Sequence, residues 1–252
     1  MTAPDTLTIA SDRVLAYHRL GATGDGKARP GIVFLGGFRS DMTGTKATDL
    51  EARARAGGRA FLRFDYRGHG ASSGRFEEGA IGDWADDAAE AVARLTEGPQ
   101  VLVGSSMGGW IACLLARRMP ERVAALVGIA AAPDFTEDAM WAGFDAAQRA
   151  RLMAEGAVAV PSEYGEDLVI TRRLIEDGRE NLVLRSPLAI PGRLRLLHGT
   201  ADDDVPVDRG LALLAHADCA DARLTLVKGA DHRFSGPAEL DLVWQTVEAV
   251  SD

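Results

Sequence analysis

The chain has 252 residues, of which 46% are hydrophobic and 26% are charged, and its formal net charge at pH 7 is -9. This length is enough for one α/β domain with a substantial core, and the acidic balance argues against nucleic acid as a partner, because no excess of basic residues is present to neutralise phosphates. Two cysteines, Cys113 and Cys219, without a C-x-x-C spacing predict neither a disulfide framework nor a zinc site.

The order of the predicted elements indicates a mostly parallel sheet with helices on both faces. Two β-rich runs at 7–10 and 14–17 predict an antiparallel hairpin at the start of the chain. Short apolar runs predict six further strands, which gives an eight-stranded sheet; they lie at 32–35, 60–64, 101–103, 123–127, 194–197 and 224–227. Amphipathic stripes predict helices in the intervals, most clearly at 81–95 and at 237–250.

The alternation of strands and helices stops between about residues 134 and 187. This stretch has a helical pattern and no strand signal, and it is too long for an ordinary connection. We therefore expect one domain over residues 1–252, with a small helical cap inserted at about 134–187 over the carboxyl ends of the strands.

The strongest chemical signal is the G-S-S-M-G sequence at 104–108, a G-x-S-x-G motif directly after a predicted strand and directly before a predicted helix. A serine on such a sharp turn needs glycine two residues before and two residues after it. Ser106 has Gly104 and Gly108 in those positions, whereas Ser105 has larger residues there. Because the helix that follows favours negative charge at its N-terminus, Ser106 is the predicted nucleophile.

A histidine in the loop between the last strand and the last helix is the expected base. Of the five histidines, His232 lies in that loop, while His198 ends a strand and is expected to hydrogen-bond the loop that holds the acid. Together with the nucleophile, this predicts a serine–histidine–aspartate triad in which the aspartate orients the imidazole.

The acid is expected in the run of three aspartates at 202–204. Asp202 is the predicted acid, because the strand-end His-Gly and the following Val-Pro frame it; Asp203 and Asp204 would then be solvated or would cap the next helix. Asp134, after the preceding strand, is an alternative acid. The predicted order along the chain is Ser106, Asp202, His232, which is the order found in serine hydrolases that are built on a mostly parallel sheet.

Two backbone N–H groups are expected to bind the developing oxyanion. One is that of Met107, the residue after the nucleophile, and the other is that of Phe38, in the loop after the strand at 32–35. Gly37 beside it would allow the substrate to approach closely.

The motifs together resemble the α/β-hydrolase family. The F-D-Y-R-G-H-G-A-S sequence at 64–72 is similar to the glycine-rich turn after the fourth strand of that family, and the elbow and the Asp and His loops also match, so the resemblance covers about 31–133 and 193 to the end. One departure is Gly36, where many members have histidine; it alters hydrogen bonding in the loop but not the backbone donor.

Residues 36–47 and 104–110 are similar to a mitochondrial subfamily of α/β-hydrolase-domain proteins, which are palmitoyl-protein thioesterases that also cleave acyl glucuronides. The resemblance implies a serine hydrolase of carboxylic esters or thioesters that uses an acyl-enzyme and neither a metal nor an organic cofactor. Long-chain acyl thioesters and acyl glucuronides are the candidate substrates. Hydrolysis of C–C, lactone or peptide bonds, a lipase at a membrane surface and a non-catalytic ligand receptor are the alternatives.

The predicted substrate-binding residues are Gly37, Arg39, Trp141 and Phe144. Other cap residues either line an acyl channel or pack the cap onto the body; they are Met140, Leu152, Met153, Val158 and Tyr164. Arg39, Arg172 and Arg173 either meet a substrate carboxylate or face solvent.

The expected partner is a small-molecule or acylated substrate. The start of the sequence lacks the basic and apolar segments of a secretory signal, and no apolar run approaches the roughly 20 residues that span a bilayer. We therefore expect a cytoplasmic protein without stable membrane insertion.

Overall fold

A computed structural model describes residues 3–161 and 167–251. The chain alternates strands and helices, as the sequence pattern predicts. The strands are β1 (Asp5–Ala10), β2 (Arg13–Leu20), β3 (Gly31–Leu35), β4 (Phe61–Phe64), β5 (Gln100–Ser105), β6 (Val123–Ile129), β7 (Ala157–Val160), β8 (Leu168–Thr171), β9 (Arg193–Gly199) and β10 (Asp221–Val227). The α-helices are α1 (Thr45–Ala56), α2 (Ile81–Leu95), α3 (Met107–Arg118), α4 (Ala146–Glu155), α5 (Arg172–Glu180), α6 (Val207–His216) and α7 (Pro237–Val250).

Eight strands form one sheet in the order β1-β2-β4-β3-β5-β6-β9-β10. The pairs β1–β2 and β2–β4 are antiparallel, and the strands from β4 to β10 are parallel. This confirms the predicted eight-stranded, mostly parallel sheet. Because the parallel strands share one direction, the loops after β3, β5, β6, β9 and β10 meet at the same edge of the sheet, where open α/β sheets bind their ligands.

Helices cover the sheet on both faces. One core packs α2, α3 and α6 against the sheet and contains the fully buried Trp84 and Trp110. The other core packs α1 and α7 on the opposite face, around Leu50, Phe234 and Val247. The central strands β3, β5 and β6 between these layers are mostly apolar on both sides because both sides are buried, whereas the edge strand β10 is partly exposed.

The segment at 134–187, which the sequence predicts to be a cap and for which that name is kept, contains a β-hairpin as well as helices. Its helical part comprises α4, α5 and a π-helical segment at Thr136–Trp141, and β7 pairs with β8 in antiparallel register. The prediction that this stretch has no strand is therefore wrong. Val158 and Ile170 face each other in the hairpin and are buried, but an alternation of only four residues on each strand is too short to stand out against the surrounding helical pattern.

The glycine-rich turn after β4 fastens the loop that follows β3. Asp65 accepts hydrogen bonds from the N–H groups of Met42 (2.6 Å) and Ala71 (2.8 Å) with its two carboxylate oxygens. A Cβ on Gly70 would lie 2.1 Å from one of those oxygens, which explains why the turn needs glycine there. Burial of the Asp65 carboxylate raises its pKa, and the two N–H donors oppose that rise.

No helix in the described part of the chain is both long enough and apolar enough to cross a membrane.

Candidate active site

The turn between β5 and α3 holds Ser106 in a strained backbone conformation, with φ 53° and ψ -117°. A non-glycine residue persists in this region only when its surroundings enforce it. The flanking glycines show how close the packing is: a Cβ on Gly104 would lie 2.3 Å from the Gly108 carbonyl oxygen, and a Cβ on Gly108 would lie 2.0 Å from that of Leu35. The turn therefore presents the Ser106 hydroxyl at the carboxyl edge of the sheet and leaves no space for larger neighbours.

Asp202 and His232 are joined by a hydrogen bond of 2.9 Å between Oδ2 and Nδ1. The second carboxylate oxygen of Asp202 accepts from the N–H groups of Asp204 (3.1 Å) and Val205 (2.8 Å), so the loop after β9 wraps around the carboxylate. Burial alone would raise the pKa of Asp202, but the hydrogen bonds from His232 and Val205 outweigh it and hold the pKa below its usual value. The carboxylate is therefore charged at neutral pH and faces the imidazole.

His198 supports the same loop. Its Nε2 lies 2.8 Å from the Val205 carbonyl oxygen and 3.4 Å from Oδ2 of Asp202, which confirms the expectation that this histidine hydrogen-bonds the loop that holds the acid. Asp203 and Asp204 are exposed. Helix α6 begins at Val207 without a side-chain cap, so of the two predicted roles of these aspartates, solvation and helix capping, the structure shows solvation.

Asp134 has a different set of partners. Its side chain is fully buried and accepts hydrogen bonds from the N–H groups of Val183 (2.8 Å) and Leu184 (3.0 Å) and from the Arg185 guanidinium (2.8 Å). Burial raises the pKa of Asp134 against these donors. Within the described residues this carboxylate does not contact His232, so the structure brings His232 together with Asp202 and not with Asp134, the alternative acid.

Phe38 is held by its ring, while its N–H group is free. The ring makes edge-to-face contacts with Phe76, Trp84 and Phe135 at centroid distances of 4.9, 5.8 and 5.4 Å. Across residues 3–161 and 167–251 the Phe38 N–H donates to no protein acceptor. A Cβ on the neighbouring Gly37 would lie 3.5 Å from Cβ of Ser106, so this loop passes directly beside the serine.

Ser106 and His232 face the same cleft, which has two arms. The cap-side arm is 550 Å³ and lies against Phe135, Ala139 and Met140. The α1-side arm is 730 Å³ and lies against the first turn of α1 and the loop after β10. Both arms are lined by Phe38, Ser106, Asp204 and His232. The Ser106 hydroxyl and His232 Nε2 make no hydrogen bond with each other; catalytic hydrogen bonds of this kind often tighten only when substrate binds.

The four predicted substrate-binding residues fall into two pairs. Gly37 and Arg39 line the α1-side arm. Trp141 and Phe144 do not line either arm. The guanidinium groups of Arg149 and Arg179 lie over the Trp141 ring, 5.2 and 4.6 Å from its centroid, and Phe144 is buried in the core. The structure therefore brings Gly37 and Arg39 to the cleft, whereas the side chains of Trp141 and Phe144 pack within the 134–187 segment and the core.

The remaining cap candidates also separate. Met140 lines the cap-side arm, Leu152 and Val158 are buried in the core, and Met153 is exposed. Tyr164 lies outside the described residues. Arg173 pairs with Asp83 and with the Glu78 carbonyl oxygen, and Arg172 lies 3.6 Å from Glu176, so both arginines are used on the cap surface away from Ser106.

Lys46 is a residue of the cleft that sequence reasoning missed. It stands in the first turn of α1, lines the α1-side arm, and donates from Nζ to the carbonyl oxygen of Arg233, the residue after His232. Burial lowers the pKa of Lys46 to about 8. Nothing in the sequence pattern distinguishes this lysine from a solvated helix residue, because its proximity to the histidine loop arises from pairing across 187 positions of the chain.

Among residues 3–161 and 167–251, no group of three or more His, Cys, Asp and Glu side chains is arranged to hold a metal ion. The arrangement is instead one of nucleophilic chemistry: a strained serine, a carboxylate-bound imidazole and a free N–H donor around one cleft.

Comparisons with known proteins agree with this chemistry. A family model described as alpha/beta hydrolase fold matches residues 47–158. The protein named palmitoyl-protein thioesterase ABHD10, mitochondrial, of Bos taurus is 36% identical over 240 residues, which are 94% of this chain and 76% of the relative. The structure of mouse α/β-hydrolase domain-containing protein 10 superposes with a TM-score of 0.89 at 33% identity and covers 99% of this chain and 98% of that one. A structure from Agrobacterium vitis S4 superposes with a TM-score of 0.92 at 38% identity and covers 100% and 99%.

The predicted cytoplasmic location is wrong in the light of these relatives. The proteins of Bos taurus, Pongo abelii and Homo sapiens that match the chain are all named as mitochondrial. Composition and the absence of long apolar runs indicate a folded domain, but they do not indicate the compartment in which that domain is found.

The similarity to these proteins extends over nearly the whole chain, in sequence and in structure. The proteins matched over that length are named as hydrolytic enzymes of one type. The chain therefore belongs to the α/β-hydrolase family, as a relative of the ABHD10 palmitoyl-protein thioesterases, and is a serine hydrolase of the thioesterase and esterase type.

Proposed function

We propose that the chain hydrolyses carboxylic ester or thioester bonds with Ser106 as nucleophile, His232 as general base and Asp202 as the acid that orients it. The observation that carries the proposal is the 2.9 Å hydrogen bond between buried Asp202 and His232, in a cleft that the strained Ser106 also lines. An imidazole whose Nδ1–H is held by a carboxylate has the lone pair of Nε2 available for a serine hydroxyl.

The reaction begins with attack of the Ser106 oxygen on the acyl carbonyl while His232 takes the hydroxyl proton. The tetrahedral oxyanion is bound by the backbone N–H groups of Phe38 and Met107. His232 then returns the proton to the departing alcohol or thiol, which leaves an acyl-serine ester. In the second half, His232 takes a proton from water, the resulting hydroxide attacks the ester, and the carboxylic acid is released as Ser106 regains its proton.

The Phe38 donor is preorganised by the aromatic contacts of its side chain. Three ring contacts hold the residue in place, and the Phe38 N–H donates to no acceptor in the described part of the chain, so it is available to an oxyanion without first breaking a protein hydrogen bond. A donor of this kind contributes roughly 10²–10³ in rate. The Met107 N–H is at the first position of α3, where the helix dipole adds to the attraction.

The acyl group is assigned to the cap-side arm. Its walls include Pro133, Phe135, Ala139 and Met140, which suit a hydrocarbon chain, and its 550 Å³ lies within the roughly 300–1,000 Å³ of small-molecule sites. In this proposal the 134–187 segment is a cap inserted into a single domain, and it sets the acyl preference. The names of the relatives favour long-chain acyl thioesters, and acyl glucuronides are the second candidate substrates.

The proposal is tested by hydrolysis of thioesters and 4-nitrophenyl esters graded in acyl length. Ser106→Ala should lower kcat by roughly 10³-fold or more, and Ser105→Ala, the adjacent serine in β5, is the matched control that should retain activity. Covalent labelling with a fluorophosphonate should occur in the wild type and in Ser105→Ala but not in Ser106→Ala.

The pattern of rates separates the outcomes. A preference for long-chain thioesters supports the proposed substrate class, whereas a preference for short esters retains the nucleophile and rejects that class. Equal rates for the wild type and Ser106→Ala would remove Ser106 from the mechanism. Tight binding of acyl compounds without turnover would indicate a receptor.

A further inference from the structure

The two arms of the cleft differ in charge. Of the described residues that line the cap-side arm, four are carboxylates and one is a cation; they are Asp138, Asp203, Asp204, Asp208 and Arg209. Among the described residues of the α1-side arm the balance is reversed, with three cations and two carboxylates; they are Arg39, Lys46, Arg233, Asp41 and Asp204. An anionic group on a bound substrate is therefore repelled from the first arm and attracted to the second.

Lys46 is held in this arm by a hydrogen bond from its ammonium group. It is half-buried, and among the described residues its ammonium donates to a single acceptor, the Arg233 carbonyl oxygen. An ammonium has three N–H donors, so two remain for a ligand in the arm. Burial, the largest cause, and the positive charge of Arg233 lower the pKa of Lys46, while the negative charges of Asp231 and Asp202 oppose the shift. The resulting pKa is about 8, so the ammonium group remains largely protonated at pH 7.

Two neighbours strengthen the attraction for an anion. Arg39 lines the same arm with its guanidinium 5.8 Å from the centroid of the Phe76 ring, and its backbone is held at φ 58°. The first turn of α1, from Thr45 onward, also lines the arm, and Gly44 before it has no side chain to cap the helix. The positive end of the helix dipole is thus directed towards the same space.

We propose that Lys46, together with Arg39, selects substrates whose leaving group carries an anionic group close to the scissile bond. The inference rests on the proposed function, because a leaving group exists only if Ser106 is acylated. The apolar wall of the cap-side arm takes the acyl chain, so the alcohol or thiol portion extends into the α1-side arm. His232 lines both arms and returns its proton to the departing atom at their junction.

The test compares two octanoyl esters that differ by one carboxylate, the ester of 4-nitrophenol and the ester of 5-hydroxy-2-nitrobenzoic acid. The quantity measured is selectivity, the ratio of kcat/KM for the carboxylate ester to kcat/KM for the neutral ester. Lys46→Met should lower this ratio about tenfold or more, which is the loss expected for a hydrogen bond to a charged group. Lys46→Arg should restore most of it, and Arg39→Met should lower it. Lys27→Met, which changes an exposed lysine in the segment between β2 and β3, should leave it unchanged.

Because the ratio cancels any loss common to both esters, it separates binding of an anion from support of the His232 loop. An equal loss on the two esters in Lys46→Met would overturn the proposal and assign Lys46 to positioning of that loop through Arg233. If Lys46→Met does not fold, product inhibition of the wild type gives the same answer. The carboxylate product should inhibit about tenfold more strongly than 4-nitrophenol, and equal inhibition would again overturn the proposal.

The proposed function is tested separately in the same assay. Wild-type turnover of the neutral ester that is lost in Ser106→Ala supports the triad even when the selectivity ratio rejects the anion site.

Discussion

The Asp202 carboxylate provides a sharp test of the proposed triad, because each of its oxygens has a distinct function. Oδ1 accepts the N–H groups of Asp204 and Val205, which shape the loop, and Oδ2 accepts Nδ1–H of His232. In Asp202→Asn the amide oxygen can retain the loop contacts, while the amide NH₂ faces His232. The imidazole then moves its proton to Nε2, where it can no longer accept one from Ser106.

The size of the effect follows from the distance and the burial. At an effective dielectric constant of about 20, a carboxylate about 4 Å from a positive charge contributes about 4 kcal/mol to the stability of the imidazolium formed in the transition state. This free energy corresponds to a loss of about 10³ in kcat. The wrong tautomer adds to it, so Asp202→Asn should lower kcat by roughly 10³–10⁴-fold.

The assay is steady-state hydrolysis of a 4-nitrophenyl ester, with KM and kcat determined separately and folding checked by thermal unfolding. Asp203→Asn is the matched control, because the neighbouring aspartate is exposed on the same loop and should leave kcat within about twofold. A folded Asp202→Asn enzyme that retains a tenth or more of wild-type kcat would refute the assignment of Asp202 as the acid.

Three further predictions concern other parts of the molecule. Asp134→Asn should destabilise the fold by about 1–3 kcal/mol, because one buried N–H group loses its acceptor, while kcat stays within about twofold; urea unfolding and the ester assay measure the two, and a triad-sized loss of kcat with unchanged stability would identify Asp134 as the acid instead. Gly108→Ala should abolish activity and lower the free energy of unfolding by about 1–3 kcal/mol, because its Cβ would lie 2.0 Å from the Leu35 carbonyl oxygen. Gly143→Ala is the control, because Gly143 has open space around it. A fully active Gly108→Ala enzyme would contradict the close packing of the turn at Ser106. A lysine loses its charge above its pKa, and the pKa of Lys46 is about 8. The wild-type selectivity for the carboxylate ester should therefore fall as the pH rises from 7 to 9, whereas it should stay constant in Lys46→Arg, because arginine keeps its charge. A fall of equal size in both enzymes would exclude Lys46 as the titrating group.

Patterns local in the chain determined the fold and the order of the site residues. Alternating apolar runs and amphipathic stripes predict the eight strands, and the predicted helices at 81–95 and 237–250 coincide with α2 and α7. The elbow is readable for the same reason, because the backbone geometry at Ser106 makes steric demands on Gly104 and Gly108, which are two positions away. Hydrophobic periodicity and the steric requirement for glycine both depend on residues a few positions apart, so both can be recognised from the sequence alone.

The use of the cap residues is decided by tertiary packing. Trp141 and Phe144 are residue types that could line an acyl channel, but Trp141 contacts two arginines and Phe144 is buried in the core. The short strands β7 and β8 form by pairing with each other. Each of these outcomes depends on which surfaces meet after folding, and the same residue types are equally compatible with either role.

What the sequence by itself determined is the class of fold, the strained turn at Ser106 and the loops that hold the proposed acid and base. Only the tertiary structure decided that Asp202 rather than Asp134 meets His232, and that Lys46 lies against the histidine loop. The reason is physical: a hydrogen bond depends on positions defined to a few tenths of an ångström, and those positions are set by the packing of strands and loops far apart in the chain.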